Sequence, residues 1–507
     1  MLPIHVESYL REAAAHWPEN IALRDKTECL RYDELYARVR SAASLICRET
    51  GGARRAPVFV CITRSIQSVV LFLATAMSGN FYVPVDLSLP KKRLLDMQTL
   101  IRPVLCLTTD LCGKPCFENL PLISYAQACA CPPDNAALSR CEAAAMDTDP
   151  LYCICTSGST GTPKAVCVAH RSVIDMVEAF SDAFPIGNDA VFGNQAPFDF
   201  DVSVKDIYLA LRHGATLTVL ERMLFSFPIR LIERLNDWGV NTLIWAVSAM
   251  KLVVSLEAFD EVQPEHLRLV MFSGEVMPPT VLGTWQKIVP DAMYVNLYGP
   301  TEITCNCTYH IVDRVYGENE IIPIGNVFRN SGVFLFKDGA EVQTPGETGE
   351  ICVYGTCLAL GYYNDPERTA AAFCQTPLQS LWPERVYHTG DLASRDADGT
   401  LVFRGRADTQ IKHMGHRIEL AEVELAALAD SGLTYVCCLF DEAADELWLF
   451  YQSEADREKE LLAAMRTRLP AFMLPSRMIR LDHMPENRTG KIDRMRLRRE
   501  HIEQTGD

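Results

Sequence analysis

The chain has 507 residues, 48% of them hydrophobic and 22% charged, with 28 Gly and 28 Pro. That length and balance predict a large folded core in more than one domain and exclude a disordered or collagen-like chain. A net charge of −17, with no basic run longer than the one from Arg494 to Arg499, excludes the electropositive face that nucleic-acid binding needs, so any phosphate site must be built locally.

In chain order, the start Met1-Leu2-Pro3-Ile4-His5-Val6-Glu7 lacks the basic-then-apolar order of a secretory leader. Residues 57–62 read as a buried strand. The longest apolar stretch, 68–85, is interrupted by Ser78, Gly79, Asn80 and Pro84 and is too short to span a bilayer. A cytoplasmic chain without membrane insertion is expected. Its 19 cysteines then read mainly as small buried hydrophobes. Pairs two apart (Cys129 and Cys131, Cys153 and Cys155, Cys305 and Cys307) are expected on one face of a strand. A zinc site would fall nearest Cys112 and Cys116, against the reading of both as core.

A strand-like run from Tyr152 to Cys155 leads into Thr156-Ser157-Gly158-Ser159-Thr160-Gly161-Thr162-Pro163-Lys164. Glycine lets backbone N–H groups turn inward around an anion, hydroxyls add donors and lysine adds charge. The composition suits a triphosphate, although no frame fits GxxxxGK[ST]; the alternative is a polar surface loop. Next, Phe198-Asp199-Phe200-Asp201-Val202-Ser203-Val204 opens a helix predicted over 202–211, with Asp201 where a helix cap would stand. A strand at 216–220, a helix at 228–238 and strands at 242–246 and 267–273 follow, an alternation that predicts parallel α/β layers. Beyond about residue 320, short strands between Gly and Pro turns (332–336, 349–353, 400–403) predict an antiparallel subdomain. A turn at Gly405-Arg406-Ala407-Asp408 precedes a compact α/β tail, placing a hinge near Asp408 between domains 1–407 and 408–507.

Five motifs, in order, resemble the adenylate-forming superfamily of acyl-CoA synthetases, peptide-synthetase adenylation domains and luciferases. They are the loop above; Asn296-Leu297-Tyr298-Gly299-Pro300-Thr301-Glu302; Tyr387-His388-Thr389-Gly390-Asp391-Leu392; Gly405-Arg406-Ala407-Asp408-Thr409-Gln410-Ile411-Lys412 with Gly415-His416-Arg417-Ile418-Glu419; and Asn487-Arg488-Thr489-Gly490-Lys491-Ile492-Asp493-Arg494. The resemblance implies a large N-terminal domain of layered α/β subdomains plus a β-rich subdomain, and a small mobile α+β C-terminal domain. It implies ATP with Mg²⁺, and catalytic roles for Thr156, Lys164, Glu302 and Lys491. Nucleotide contacts would come from Thr156, Ser157, Gly158, Ser159, Thr160, Gly161, Lys164, Gly274, Glu275, Asn296, Tyr298, Gly299, Thr301, Asp391, Arg406 and Lys491. Each role has a physical basis. Tyr298 can stack on adenine, and Glu302 is a hard oxygen ligand for Mg²⁺. Asp391 can accept from two ribose hydroxyls, and Lys491 can neutralise charge between carboxylate and α-phosphate.

Phe200-Asp201-Val202-Ser203 resembles the motif that offers an acid to the α-amino group in amino-acid-activating members; a buried ammonium without such a partner is costly. By the same analogy Val202, Lys205, Trp245, Met271, Ser273, Leu297, Cys305 and Asn306 line the substrate pocket. The bulk of Trp245 and Leu297 implies a small side chain. Phe272-Ser273-Gly274-Glu275-Val276-Met277-Pro278 and Asn194-Gln195-Ala196-Pro197-Phe198 resemble D-alanine–D-alanyl carrier protein ligases. Lys205 and Ser273 depart from that pattern. Lys205 either pairs with an acidic substrate side chain or snorkels to solvent. With little chain beyond Lys491, the acceptor thiol is expected in trans, on a phosphopantetheinylated carrier protein or on coenzyme A. The alternatives are an acyl- or aryl-CoA synthetase and a non-catalytic nucleotide-binding scaffold.

Overall fold

The apolar runs at 242–246 and 267–273 form neighbouring parallel strands, Thr242–Ala246 and Leu269–Ser273, of a nine-stranded sheet. The fold comes from a computed structural model that describes residues 3–156, 163–407, 410–429, 433, 435–485 and 492–503. Ser157, Gly158, Ser159, Thr160, Gly161, Asp408 and Lys491 lie outside the described residues. Around the first pair, Met293–Tyr298, Val191–Asn194, Thr216–Val219 and Ile21–Arg24 also run parallel, with antiparallel strands at both edges. Parallel neighbours need crossover connections, and the intervening helices supply them. A seven-stranded sheet contains the parallel set Phe81–Val85, Pro57–Cys61, Leu105–Thr108 and Leu122–Ser124. The interrupted apolar stretch divides where its polar residues fall, into the helix Ile66–Met77 and the strand Phe81–Val85.

The helix Val202–His213 ends at Gly214, whose φ of 64° suits a residue without Cβ. Pro228–Asp237 begins on the proline, which has no N–H to leave unpaired. Alternation along the nine-stranded sheet splits its side chains between two cores. Ile244, Met271, Val295 and Leu297 pack with Val204, Ile207 and Tyr208 of the Val202–His213 helix. Leu243, Trp245, Val270 and Phe272 face the other way, onto Trp285 and Phe259.

From Ser331 the strands are antiparallel, as expected: Ser331–Lys337, Thr348–Gly355, Arg385–Arg395 and Leu401–Arg406 pair in succession. Packing divides the chain into two compact units. The larger comprises Met1–Asp86, Ile101–Ile154 and Ala165–Ala407; the smaller comprises Leu87–Leu100, Cys155–Lys164 and Asp408–Asp507. In the smaller unit, the hairpin Gln410–His413 and His416–Glu419 accompanies a three-stranded sheet (Val436–Asp441, Glu446–Gln452, Arg477–Leu481). Helices Leu420–Leu428 and Glu458–Arg466 help to enclose a separate apolar core there. The fold is thus α/β, with a large N-terminal and a smaller C-terminal domain. Among the described residues no helix is long and apolar enough to cross a membrane.

Candidate active site

Beyond the strand Met293–Tyr298 the chain makes a strained loop. After the single turn Thr301–Ile303, Thr304 and Cys305 are both left-handed, with φ of 57° and 74°. Each such residue costs roughly 1–3 kcal/mol and persists only where its surroundings impose it. Here the Thr304 hydroxyl donates to the Cys357 carbonyl (2.8 Å), and the Cys307 N–H donates to the Tyr298 carbonyl (2.9 Å). Gly299 is required by close approach: a Cβ there would lie 2.6 Å from Cα of Asn306 and from the Cys305 carbonyl oxygen.

One end of the loop meets Asp391. The Tyr298 hydroxyl donates to Asp391 Oδ2 at 2.6 Å, and the Arg406 guanidinium pairs with Oδ1. Arg406 also donates to the Thr389 carbonyl (3.2 Å). Burial, and then the neighbouring Asp391 carboxylate, push the Tyr298 phenol far above its ordinary range, so it stays a donor. Asp391 is aimed by a bulge: Cys352 pairs with His388 but Glu350 pairs with Leu392, and Gly390 between them has φ 73°. Asn296 donates to the Pro323 carbonyl (2.8 Å). Glu302 is fully buried and accepts from the Tyr362 hydroxyl (2.9 Å). A buried carboxylate of this kind offers the hard oxygen that Mg²⁺ takes.

The other end meets the Val202–His213 helix. Cys305 donates its thiol proton to the Asp201 carbonyl (2.9 Å), and Lys205 Nζ donates to Asn306 Oδ1 (2.6 Å). Lys205 has no exposed surface, so the expectation that it snorkels to solvent is overturned. The helix is buried from Ser203 to Leu211, leaving no wet side for the lysine stem to reach. Burial draws the ammonium down from its usual range; Cys305, Asp201 and Asp206 act against it. Burial likewise pushes the Asp206 carboxyl up to about 7, with one oxygen held by Asn194 (2.7 Å). Asp201 stands at the helix cap position, but its side chain makes no capping hydrogen bond.

The other expected pocket residues divide. Met271 and Leu297 share the core that holds this helix, Val202 packs against it, and Ser273 is buried at its strand end. Trp245 does not join them. Its indole N–H donates to the Gly193 carbonyl (2.8 Å) and its ring packs on Trp285 and Phe225, in the core on the opposite sheet face. The residues in register with Met271 and Ser273 are Ile244 and Ala246; a shift of one residue changes the face. Gly274, φ 99°, and half-buried Glu275 follow Ser273, and Thr301 is half-buried. Thr156 and Lys164 fall in the smaller unit; Lys164 is buried, and Thr156 Oγ1 is buried without a hydrogen-bond partner among the described residues.

Sequence reasoning missed Tyr362, whose only signal is its place directly after Gly361, and Phe403, whose ring lies 6.3 Å from that of Tyr298. Two cysteine expectations also change. Cys129 ends a helix, and left-handed Cys305 breaks the strand alternation that would align it with Cys307. Cys112 donates to the Thr109 carbonyl (3.2 Å). No disulfide joins any of the 19 cysteines.

The fold and this loop define an adenylate-forming enzyme, and comparison agrees. Residues 10–363 match the AMP-binding enzyme family. The chain is 31% identical to the D-alanine–D-alanyl carrier protein ligase of Bacillus velezensis, covering 95% of this chain and 96% of that protein. It is 30% identical to zwittermicin A synthase ZmaJ of Bacillus cereus, covering 96% and 94%. Among solved structures it is similar to holo-PA1221, a peptide-synthetase protein with adenylation and carrier domains, at 25% identity and TM-score 0.85, over 98% of this chain and 84% of that one. The chain belongs to the AMP-binding enzyme family and is an AMP-forming ligase that activates amino acids with ATP.

Proposed function

We propose that this chain joins an amino-acid carboxylate to the α-phosphate of ATP, then passes the aminoacyl group to the phosphopantetheine thiol of a separate carrier protein. A carboxylate oxygen attacks the α-phosphorus, the α–β P–O bond breaks and pyrophosphate leaves; the thiolate then attacks the acyl carbon and AMP leaves. Such a transfer takes little covalent help, so its rate comes from positioning and charge stabilisation. The observation that carries the reading is the 298–306 loop, whose first residue bonds Asp391 and whose last bonds Lys205, one helical turn from Asp201.

In this reading Asp391, braced by Arg406, takes the ribose hydroxyls. Tyr298, Asn296, Gly274, Glu275, Gly299 and Thr301 border the base and sugar, and Asp201 takes the α-ammonium. The loop from Thr156 through Lys164 cradles phosphates, a role supported by the Thr156 hydroxyl, which is buried with no hydrogen-bond partner among the described residues. Lys491 supplies charge at the transfer, and the smaller C-terminal domain moves about a hinge near Asp408. Glu302 would hold Mg²⁺, which when bound neutralises phosphate charge. The reading places the reaction in the cytoplasm, in keeping with 19 cysteines and no disulfide among them.

For the substrate side chain, likeness to the Bacillus velezensis ligase supports D-alanine or another small amino acid. Lys205 supports a second reading, an acidic side chain. A fully buried ammonium whose hydrogen-bond partner is a neutral amide is suited to a carboxylate, and without Trp245 the pocket has one bulky wall fewer. ATP–pyrophosphate exchange across D- and L-amino acids, aryl acids and fatty acids tests the assignment. Exchange driven by amino acids and lost in Asp201→Asn is expected; exchange driven by aryl or fatty acids alone would refute it. Loading of a phosphopantetheinylated carrier protein against coenzyme A then identifies the acceptor.

A further inference from the structure

The outer face of the antiparallel sheet carries donor atoms that the reaction above does not use. Glu350 and Cys352 are two apart on Thr348–Gly355 and so share a face. Cys352 pairs across the sheet with His388. His388 Nδ1 lies 2.9 Å from Glu350 Oε2 and 3.4 Å from Cys352 Sγ. Among the described residues this is the one group of three such donors with its ligand atoms all within 4.8 Å of one another.

Two of the three separations nearly fit a tetrahedral ion, and the third, sulfur to oxygen, is within 4.8 Å. Zn²⁺ takes sulfur at about 2.3 Å, imidazole nitrogen at about 2.0–2.1 Å and carboxylate oxygen at about 2.0–2.2 Å. At tetrahedral angles, those bond lengths place the ligand atoms roughly 3.3–3.6 Å apart. The sulfur–nitrogen distance already matches, and the oxygen–nitrogen distance needs to open by about half an ångström, as a hydrogen bond gives way to a shared ion.

The surroundings brace the donors as metal ligands are braced. The second Glu350 oxygen accepts the Gly390 N–H at 2.9 Å, which fixes the carboxylate. The His388 ring meets Phe336 edge-on, with centroids 5.8 Å apart. Cys352 is buried beside Phe334 and Val386, while Glu350 and His388 are each about one-quarter exposed, so an ion can enter and a water can complete its shell. The bland alternative is an ordinary carboxylate–imidazole hydrogen bond with a thiol nearby. That alternative does not require sulfur and oxygen to converge on one nitrogen.

We propose that Glu350, Cys352 and His388 form a binding site for a thiophilic divalent ion of the Zn²⁺ type. On binding, the Cys352 thiol proton goes to solvent and the imidazole carries its remaining proton on Nε2, leaving Nδ1 as the ligand. The site lies at the bulge that aims Asp391, and the fixed carboxylate touches that bulge at Gly390.

The test uses the full chain, freed of metal with chelator and titrated with Co²⁺ alone. One equivalent is expected to raise a thiolate-to-cobalt charge-transfer absorption in the near ultraviolet, reversed by Zn²⁺. Cys352→Ser and His388→Ala are each expected to abolish it, and Glu350→Gln to weaken binding more than tenfold. Circular dichroism and thermal unfolding confirm that each variant is folded; Cys352→Ser, nearly isosteric, is the safeguard should His388→Ala fail to fold. Absence of the absorption from the wild-type chain overturns the proposal. So does an absorption that survives in Cys352→Ser, since other cysteines would then hold the ion.

Discussion

Replacing Lys205 with Met separates the two readings of the substrate side chain. Met keeps most of the lysine stem and removes the ammonium, which is wholly buried. Two effects on the empty protein oppose each other. Relief of a buried charge is worth several kcal/mol, while Asn306 Oδ1 loses its donor at a cost of roughly 1–3 kcal/mol. The unfolding midpoint should therefore hold or rise. An acidic substrate has no such offset, because its carboxylate would enter a buried site stripped of its counter-charge. Removing one partner of a buried pair costs roughly 3–5 kcal/mol, or about 10²- to 5 × 10³-fold in kcat/KM. Alanine should be nearly unaffected or improved. The assay is ATP–pyrophosphate exchange with aspartate, glutamate and alanine in both configurations. An aspartate-to-alanine ratio equal in wild type and Lys205→Met would refute the idea that Lys205 faces the side chain, whichever amino acid is preferred.

Asp391→Asn should raise the KM for ATP by roughly tenfold or more, since a charge-assisted hydrogen bond is worth roughly 1.5–3 kcal/mol; steady-state exchange kinetics measure this, and an unchanged KM would count against the ribose role. Gly299→Ala should abolish exchange while the chain stays folded by circular dichroism, because its Cβ would strike the backbone of Cys305 and Asn306. Gly214→Ala should destabilise by roughly 2 kcal/mol or more: φ is 64°, and the Cβ would meet the Trp17 ring at 2.1 Å. Urea unfolding measures it, and an unmoved midpoint would contradict the packing. Asp206→Asn tests linkage. Burial raises the folded carboxyl from 3.8 to about 7, so the wild type is penalised progressively between pH 4 and 7 and fully above that. The gain in melting temperature on substitution should be larger at pH 8 than at pH 5; equal gains at the two pH values would show that the carboxyl is not held neutral.

The layered fold was legible because its signals are local. The proline opening 228–237, the glycine closing 202–213 and the polar break in 68–85 each sit where the structure places an element end. Facing was not legible. A strand buried on both sides, such as Thr242–Ala246, reads as one apolar run, and nothing in those five letters says that Ile244 and not Trp245 shares the face of Met271. Lys205 failed for a related reason. Snorkelling presumes a wet side of the helix, yet apolar residues surround Lys205 and Asp206 all along 202–211, and that missing polar stripe was the usable signal.

Cross-strand register is the least readable feature, and in this chain it decides the most. The motif Tyr387-His388-Thr389-Gly390-Asp391 looks like one unit in sequence, but a strand sends alternate side chains to opposite faces. Tyr387 and Asp391 go inward, the latter to the Tyr298 hydroxyl, while His388 goes outward to Glu350 and Cys352. The two-residue bulge opposite Ile351 serves both faces, lifting Asp391 to the loop and turning the Gly390 N–H onto Glu350. Removing that N–H's partner with Glu350→Ala should therefore loosen Asp391 from the far side of the sheet. A rise in the KM for ATP without a fall in folding stability is the expected signature, and a variant unchanged in KM would mean that the bulge holds its shape without Glu350.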